Sequence, residues 1–322
     1  MKYTLFFVIT VLIFGSIQLT DMIFPNAYGS PPLKQINSGT KSTDVTCSKE
    51  LELVLKISNG YPACIKPSSV VKLIERGWAM HILPDVDSSS KNSNLIQSGK
   101  YDVETSLVEY ANYTGFLARP ISTETFPGII MIHEWWGLNE NMKETAMKLA
   151  SQGYVVLAVD LFHGSVATDA QKAMEMVSSF DEQQAIANMN SAVSYLQTSD
   201  NIGKIGSIGW CFGGGQSLNL AINNKNIDAT VIYYGKLVTE QETLSKIKSP
   251  ILGIFAEMDQ GIPVEKVSEF ENALNELEIP NTIHIYPGVD HAFANPTGAR
   301  YAPVETEDAW NKTLEFFKNN LS

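Results

Sequence analysis

From residue 101 onward the chain alternates short apolar runs with longer stretches of helical pattern. The runs Val103–Tyr110, Tyr113–Ala118, Pro127–His133, Tyr154–Val159, Lys204–Ile208, Ala229–Tyr234, Pro250–Ala256 and Thr282–Tyr286 read as strands. Ile251-Leu252-Gly253-Ile254-Phe255-Ala256 is apolar throughout, as in a strand buried on both faces. Helical patterns lie between the runs, and one over Glu305–Lys318 closes the region. This alternation predicts an α/β domain over residues 101–322, built on a doubly wound, mostly parallel sheet.

Residues 30–85 read differently. Leu51, Leu53, Leu55 and Ile57 alternate with Glu52, Val54 and Lys56, as in a half-buried strand, and Ser58-Asn59-Gly60 turns it. Ser68 or Ser69 caps a helix over Val70 to Arg76, closed by Gly77. A small α+β module is expected here. Residues 86–100, rich in Ser, Asn and Asp without periodicity, are expected to be a linker.

The first 29 residues are an export segment by pattern. Met1-Lys2 gives a positive start, Tyr3 to Leu19 is largely apolar, and Ala27-Tyr28-Gly29 places small residues before Ser30. The run also approaches spanning length before Asp21, so a cleaved signal peptide and an uncleaved membrane anchor both fit. Either one predicts a protein that is secreted or held on the outer face of the cell membrane.

Composition narrows the classes. The 322 residues are 44% apolar, enough for a full core, and the net charge of −12 argues against nucleic acid and anionic lipid as partners. There are three cysteines. In an exported chain Cys47 and Cys64 most simply form a disulfide, leaving Cys211 free. A loop of that length is worth ~3 kcal/mol in the chain-entropy model. Asn112-Tyr113-Thr114 and Asn311-Lys312-Thr313 match the glycosylation pattern.

The chemistry starts at Gly209-Trp210-Cys211-Phe212-Gly213-Gly214-Gly215, which lies between the strand Lys204–Ile208 and a helix from Gln216 to Ile222. A Gly-x-[Ser/Cys]-x-Gly turn from strand to helix is a nucleophile elbow: it exposes the central side chain above the sheet, at the positive end of a helix. The bland alternative is a Gly-rich turn around a structural cysteine. A phosphate loop is excluded, because no Lys-Ser/Thr follows. An acid and a histidine should come later in the chain, each after a further strand. Asp259 follows Pro250–Ala256 and His291 follows Thr282–Tyr286. Glu257 is the alternative acid. His284 sits inside a strand, and His163 follows a strand end where it would line a pocket. The histidines lack metal-ligand spacing, and neither metal nor cofactor is assigned.

Here the chain resembles the dienelactone hydrolases (carboxymethylenebutenolidases) of the α/β-hydrolase fold. The resemblance runs from about Val103 to the C-terminus and rests on four motifs. They are Gly-Trp-Cys-Phe-Gly-Gly at 209–214, Met258-Asp259, Asp290-His291-Ala292-Phe293-Ala294 and His133-Glu134-Trp135-Trp136-Gly137-Leu138-Asn139. It implies a Cys211–His291–Asp259 triad acting through a thioester. It also implies that Glu134 contacts the resting thiol and helps govern its ionisation, and that the N–H groups of Phe212 and Trp135 form an oxyanion hole. Members acting on dienelactone hold its carboxylate with arginines. This chain reads Asp160-Leu161-Phe162-His163-Gly164-Ser165 in the first such region and Asn295 at the second, with Arg300 nearby. Trp135, Trp136 and Phe162 suggest an aromatic-lined site for a neutral ester or lactone. A binding protein or thiol sensor on the same scaffold is the alternative class.

Overall fold

The computed structural model describes residues 32–37, 40–56, 61–75, 78–81 and 99–322. The expected leader, the turn at Ser58-Asn59-Gly60 and residues 86–98 of the expected linker lie outside the described residues. The described chain forms two compact units, residues 32–81 and residues 99–322.

In the first unit, helix α1 (Pro32–Asn37) precedes strands β1 (Glu52–Lys56), β2 (Pro62–Ile65) and β3 (Ala79–His81), with helix α2 (Pro67–Glu75) between β2 and β3. The sheet is antiparallel in the order β2-β1-β3. Cys47 and Cys64 are disulfide-bonded, with Cα atoms 5.5 Å apart. The face of β1 differs from expectation: Val54 is fully buried, while Leu53 and Leu55 are half-buried. The reason is local, since Val54 packs with Val70 of α2 and Ala79 of β3 in the unit's small core. Helix α2 also starts earlier, at Pro67, whose fixed φ suits a first helical turn.

The second unit is built on β4 (Val103–Tyr110), β5 (Tyr113–Pro120), β6 (Phe126–Ile132), β7 (Val155–Val159), β8 (Ile202–Trp210), β9 (Ala229–Tyr233), β10 (Ile251–Ala256) and β11 (Asn281–Tyr286). They form one eight-stranded sheet in the order β11-β10-β9-β8-β6-β7-β5-β4. The pairs β4–β5 and β5–β7 are antiparallel, and the others are parallel. Helices α3 (Glu140–Ala150), α4 (Ala170–Ser178), α5 (Glu182–Thr198), α6 (Phe212–Asn223), α7 (Gln241–Leu244), α8 (Val264–Glu276) and α9 (Pro303–Leu321) complete it.

Both faces are covered. Met142 and Leu149 of α3 and Phe317 and Leu321 of α9 pack in one core cluster. On the other face, Met189 and Val193 of α5 pack with Leu220 of α6, and Phe270 of α8 packs with Leu218. The central strands are therefore apolar on both sides, and every residue of β7, β9 and β10 is buried. The chain leaves the parallel strands β6, β8, β9, β10 and β11 at their carboxyl ends, where open α/β sheets bind ligands.

Candidate active site

Cys211 occupies the tight turn between β8 and α6. Its φ of +54° and ψ of −116° are strained for a residue with a side chain, and its N–H donates to Tyr233 O at 3.0 Å. Glycines permit this turn by close approach. A Cβ on Gly209 would lie 2.0 Å from Gly213 O, and one on Gly213 would lie 2.3 Å from Ile132 O. The start of α6 is thus pressed against the end of β6. Phe212, the first residue of α6, has an N–H without a helical acceptor.

Three side chains from three loops converge at this turn. His291 Nε2 lies 3.1 Å from Cys211 Sγ, and His291 Nδ1 lies 2.6 Å from Asp259 Oδ2. Asp259 is buried, and its other oxygen, Oδ1, accepts the N–H groups of Gly261 (2.9 Å) and Ile262 (3.1 Å). Burial alone would raise this carboxyl, but the bond to His291 and the two amides hold it below the usual carboxylate range. Burial likewise works against a charged His291. The bonds to Asp259 and Cys211 outweigh it, and the imidazole pKa is pushed up to about 10. Such a chain of thiol, imidazole and buried carboxylate can move a proton off sulfur and hold it on the ring. Tyr234 packs against His291 with ring centroids 5.2 Å apart, and both Tyr234 (φ +36°) and Ala292 (φ +62°) also have left-handed backbone.

Glu134 follows β6 and is buried. Burial pushes its carboxyl up to about 7, against the opposing effects of His291 and of a bond from Asn295. Asn295 Nδ2 donates to Glu134 Oε2 at 2.5 Å. His133 anchors the same segment. Its Nδ1 donates to Glu134 O at 2.7 Å, and its Nε2 accepts the N–H of Leu161 at 3.1 Å, a neutral tautomer that ties the end of β6 to the end of β7. Burial lowers its pKa, in keeping with that neutral form.

The remaining sequence candidates fall into two groups. Trp135 and Trp136, half-buried and edge-to-face at 5.0 Å, lie on the loop next to Glu134. Phe162 is buried against His133 and Phe212. His163 is exposed, bonds Gln184 Oε1 at 2.9 Å, and lines a cavity of about 270 Å³ with Phe162, Phe180 and Gln184, a lining that includes none of Cys211, Asp259 and His291. Arg300 is bonded to Asp290. Glu257 accepts the N–H of Gly288 and is exposed, and His284 stays in β11 opposite Ile254. Two residues at the site were given no role by the sequence. His133 is hidden in an apolar run, and Thr297, which bonds Asn295, is signalled only by an Asn-x-Thr turn pattern. Among the described residues no group of three or more metal-ligating side chains occurs.

Known proteins share this arrangement of elements. The model of the dienelactone hydrolase family matches residues 113–321. The chain belongs to that family. A protein of Saccharolobus solfataricus named as a carboxymethylenebutenolidase is 30% identical over 251 residues, 65% of this chain and 94% of its own. A Bradyrhizobium protein named as a 2-oxo-3-(5-oxofuran-2-ylidene)propanoate lactonase is 28% identical over 221 residues, covering 64% of this chain and 89% of its own. Among solved structures, a protein of Klebsiella pneumoniae named as a dienelactone hydrolase aligns with a TM-score of 0.63 at 24% identity, over 67% of this chain and 98% of its own. This likeness shows the fold. Membership of the dienelactone hydrolase family makes the chain a hydrolase.

Proposed function

We propose that the protein is an exported hydrolase that cleaves a neutral ester or lactone through Cys211 and a thioester intermediate. The observation that carries this reading is the unbroken contact from Cys211 Sγ through His291 to Asp259. His291 Nε2 takes the thiol proton while Asp259 holds Nδ1–H. The thiolate attacks the carbonyl carbon, and the C=O electrons move to oxygen. The N–H groups of Phe212 and Trp135 receive that oxyanion, a role supported by the close packing of α6 on the end of β6. The oxyanion collapses, the C–O bond breaks, and the imidazolium protonates the leaving alcohol. Water, deprotonated by His291, then opens the thioester and releases the acid. Glu134 shapes the charge beside this pair. Trp135, Trp136 and Phe162 supply an aromatic wall, and the reaction needs no cofactor or metal.

Cys211→Ala tests the covalent step. It should abolish esterase turnover in a folded protein, and iodoacetamide should inactivate the wild type through this residue. Alanine-variant turnover within about tenfold of wild type contradicts the mechanism, because removing a nucleophile costs far more.

Export is supported by the leader pattern of residues 1–29 and by the Cys47–Cys64 disulfide, which suits an oxidising compartment. Among the described residues no helix is long and apolar enough to cross a membrane. Intact mass of natively produced protein should show the disulfide and one alkylatable thiol, whereas three reactive thiols contradict export. The same disulfide weighs against a thiol sensor, since both other cysteines are already paired and neither is left to resolve an oxidised Cys211.

A further inference from the structure

Asn295 lies on the loop after His291, and its N–H donates to Ala292 O at 3.0 Å. Its side-chain oxygen Oδ1 accepts two bonds from Thr297, one from the backbone N–H at 2.9 Å and one from Oγ1 at 2.8 Å. A backbone N–H can only donate, so the orientation of the amide is fixed. Turning it over would set Nδ2 against the Thr297 N–H and Oδ1 against a carboxylate oxygen. The amide nitrogen must therefore face Glu134, whose Oε2 it reaches at 2.5 Å. Asn295 and Glu134 are 6% and 3% exposed. Oε2 is thereby held by a fixed donor.

We infer that Thr297 and Asn295 form a positioning pair that locks the Glu134 carboxyl in one orientation and sets the pH at which it ionises beside Cys211 and His291. Its catalytic consequence rests on the cysteine-hydrolase reading above; the ionisation itself does not. The groups facing Glu134 come from several loops. His291 favours the carboxylate, and Tyr234, fully buried with its pKa pushed up by burial, stays a neutral phenol. His133, kept neutral by burial, bonds Glu134 only through the backbone oxygen. Arg300 and Asp290 bond each other at the exposed end of the loop. The amide is thus the neutral donor that offsets part of the cost of a buried carboxylate, without supplying a counter-charge. Loss of that donor must move the ionisation upward.

The test uses the full chain. The Glu134 carboxyl is titrated by infrared difference spectroscopy, with its band identified by disappearance in Glu134→Gln, and the pH profile of Cys211 alkylation by iodoacetamide is recorded alongside. Asn295→Ala should raise the Glu134 midpoint by ~0.5 unit or more. Thr297→Val should shift it in the same direction by less, and Thr297→Ser, which keeps the hydroxyl, should restore the wild-type midpoint. The alkylation profile should follow each shift and lose that ionisation in Glu134→Gln. An unmoved midpoint in folded Asn295→Ala overturns the inference, as does a Thr297→Ser variant that shifts as far as Thr297→Val. If Asn295→Ala does not fold, the two Thr297 variants decide. A wild type that hydrolyses no ester refutes the proposed function while the infrared titration still decides this inference. Intact hydrolysis with an unmoved midpoint refutes this inference alone.

Discussion

Arg300 Nε lies 3.0 Å from Asp290 Oδ2, with 59% of the arginine side chain exposed. The cation nearest in sequence to the His291 loop is therefore bound to a carboxylate on the surface. Asn295, the other candidate anion contact, is turned toward Glu134 by Thr297.

Substrate charge follows from that pairing. A buried carboxylate without a paired cation loses its hydration with little in return. Neutral short esters or lactones should be hydrolysed with higher kcat/KM than carboxylate-bearing analogues of equal size. The comparison belongs at low and high salt, because the net charge of −12 repels anions at long range and salt screens that part. A clear preference for the anionic analogue at both salts would refute the neutral-substrate reading.

Asp259 rather than Glu257 should be the acid. Asp259→Asn and His291→Ala should each lower kcat by orders of magnitude, and the double variant should be little worse than the poorer single one, since the residues act as a unit. Glu257→Gln should stay within about threefold of wild type, because this side chain is exposed and engaged by the Gly288 N–H. The reverse pattern would reassign the acid.

The pH dependence has a definite sign. His291 is raised from 6.5 to about 10, with burial opposing the charge and the Asp259 and Cys211 bonds outweighing it. The stability this contributes is fully present below the unfolded value and is lost as pH rises through the folded one. Urea midpoints of the wild type should therefore fall between pH 6.5 and about 10. Asp259→Asn, which removes the larger supporting bond, should flatten that fall. Equal slopes in the two proteins would mean that the Asp259 contact does not hold the imidazolium.

Much of the second unit was legible because each local signal had one structural answer. The glycines around Cys211 announce close backbone approach, and the contacts a Cβ would make at Gly209 and Gly213 explain why no other residue fits. Apolar runs such as Ile251–Ala256 gave strands within a residue or two, since burial on both faces leaves little choice of element. The small first unit was harder. Strands β2 and β3 are too short to carry a period, and the inward face of β1 is chosen by contacts with α2 and β3 that no window over β1 contains. The partner of Glu134 was hidden for a similar reason: Asn295 is 161 positions away, and its orientation depends on Thr297.

The central claim is a covalent acyl-cysteine. It is tested most directly by mixing the enzyme with an excess of an activated nitrophenyl ester, following nitrophenol release at early times, and analysing the quenched protein by mass spectrometry. The account predicts a burst of about one equivalent of nitrophenol per enzyme and an acyl adduct on the peptide containing Cys211, both absent in Cys211→Ala. Steady turnover with the adduct on another residue, or equal turnover by the alanine variant, would contradict it.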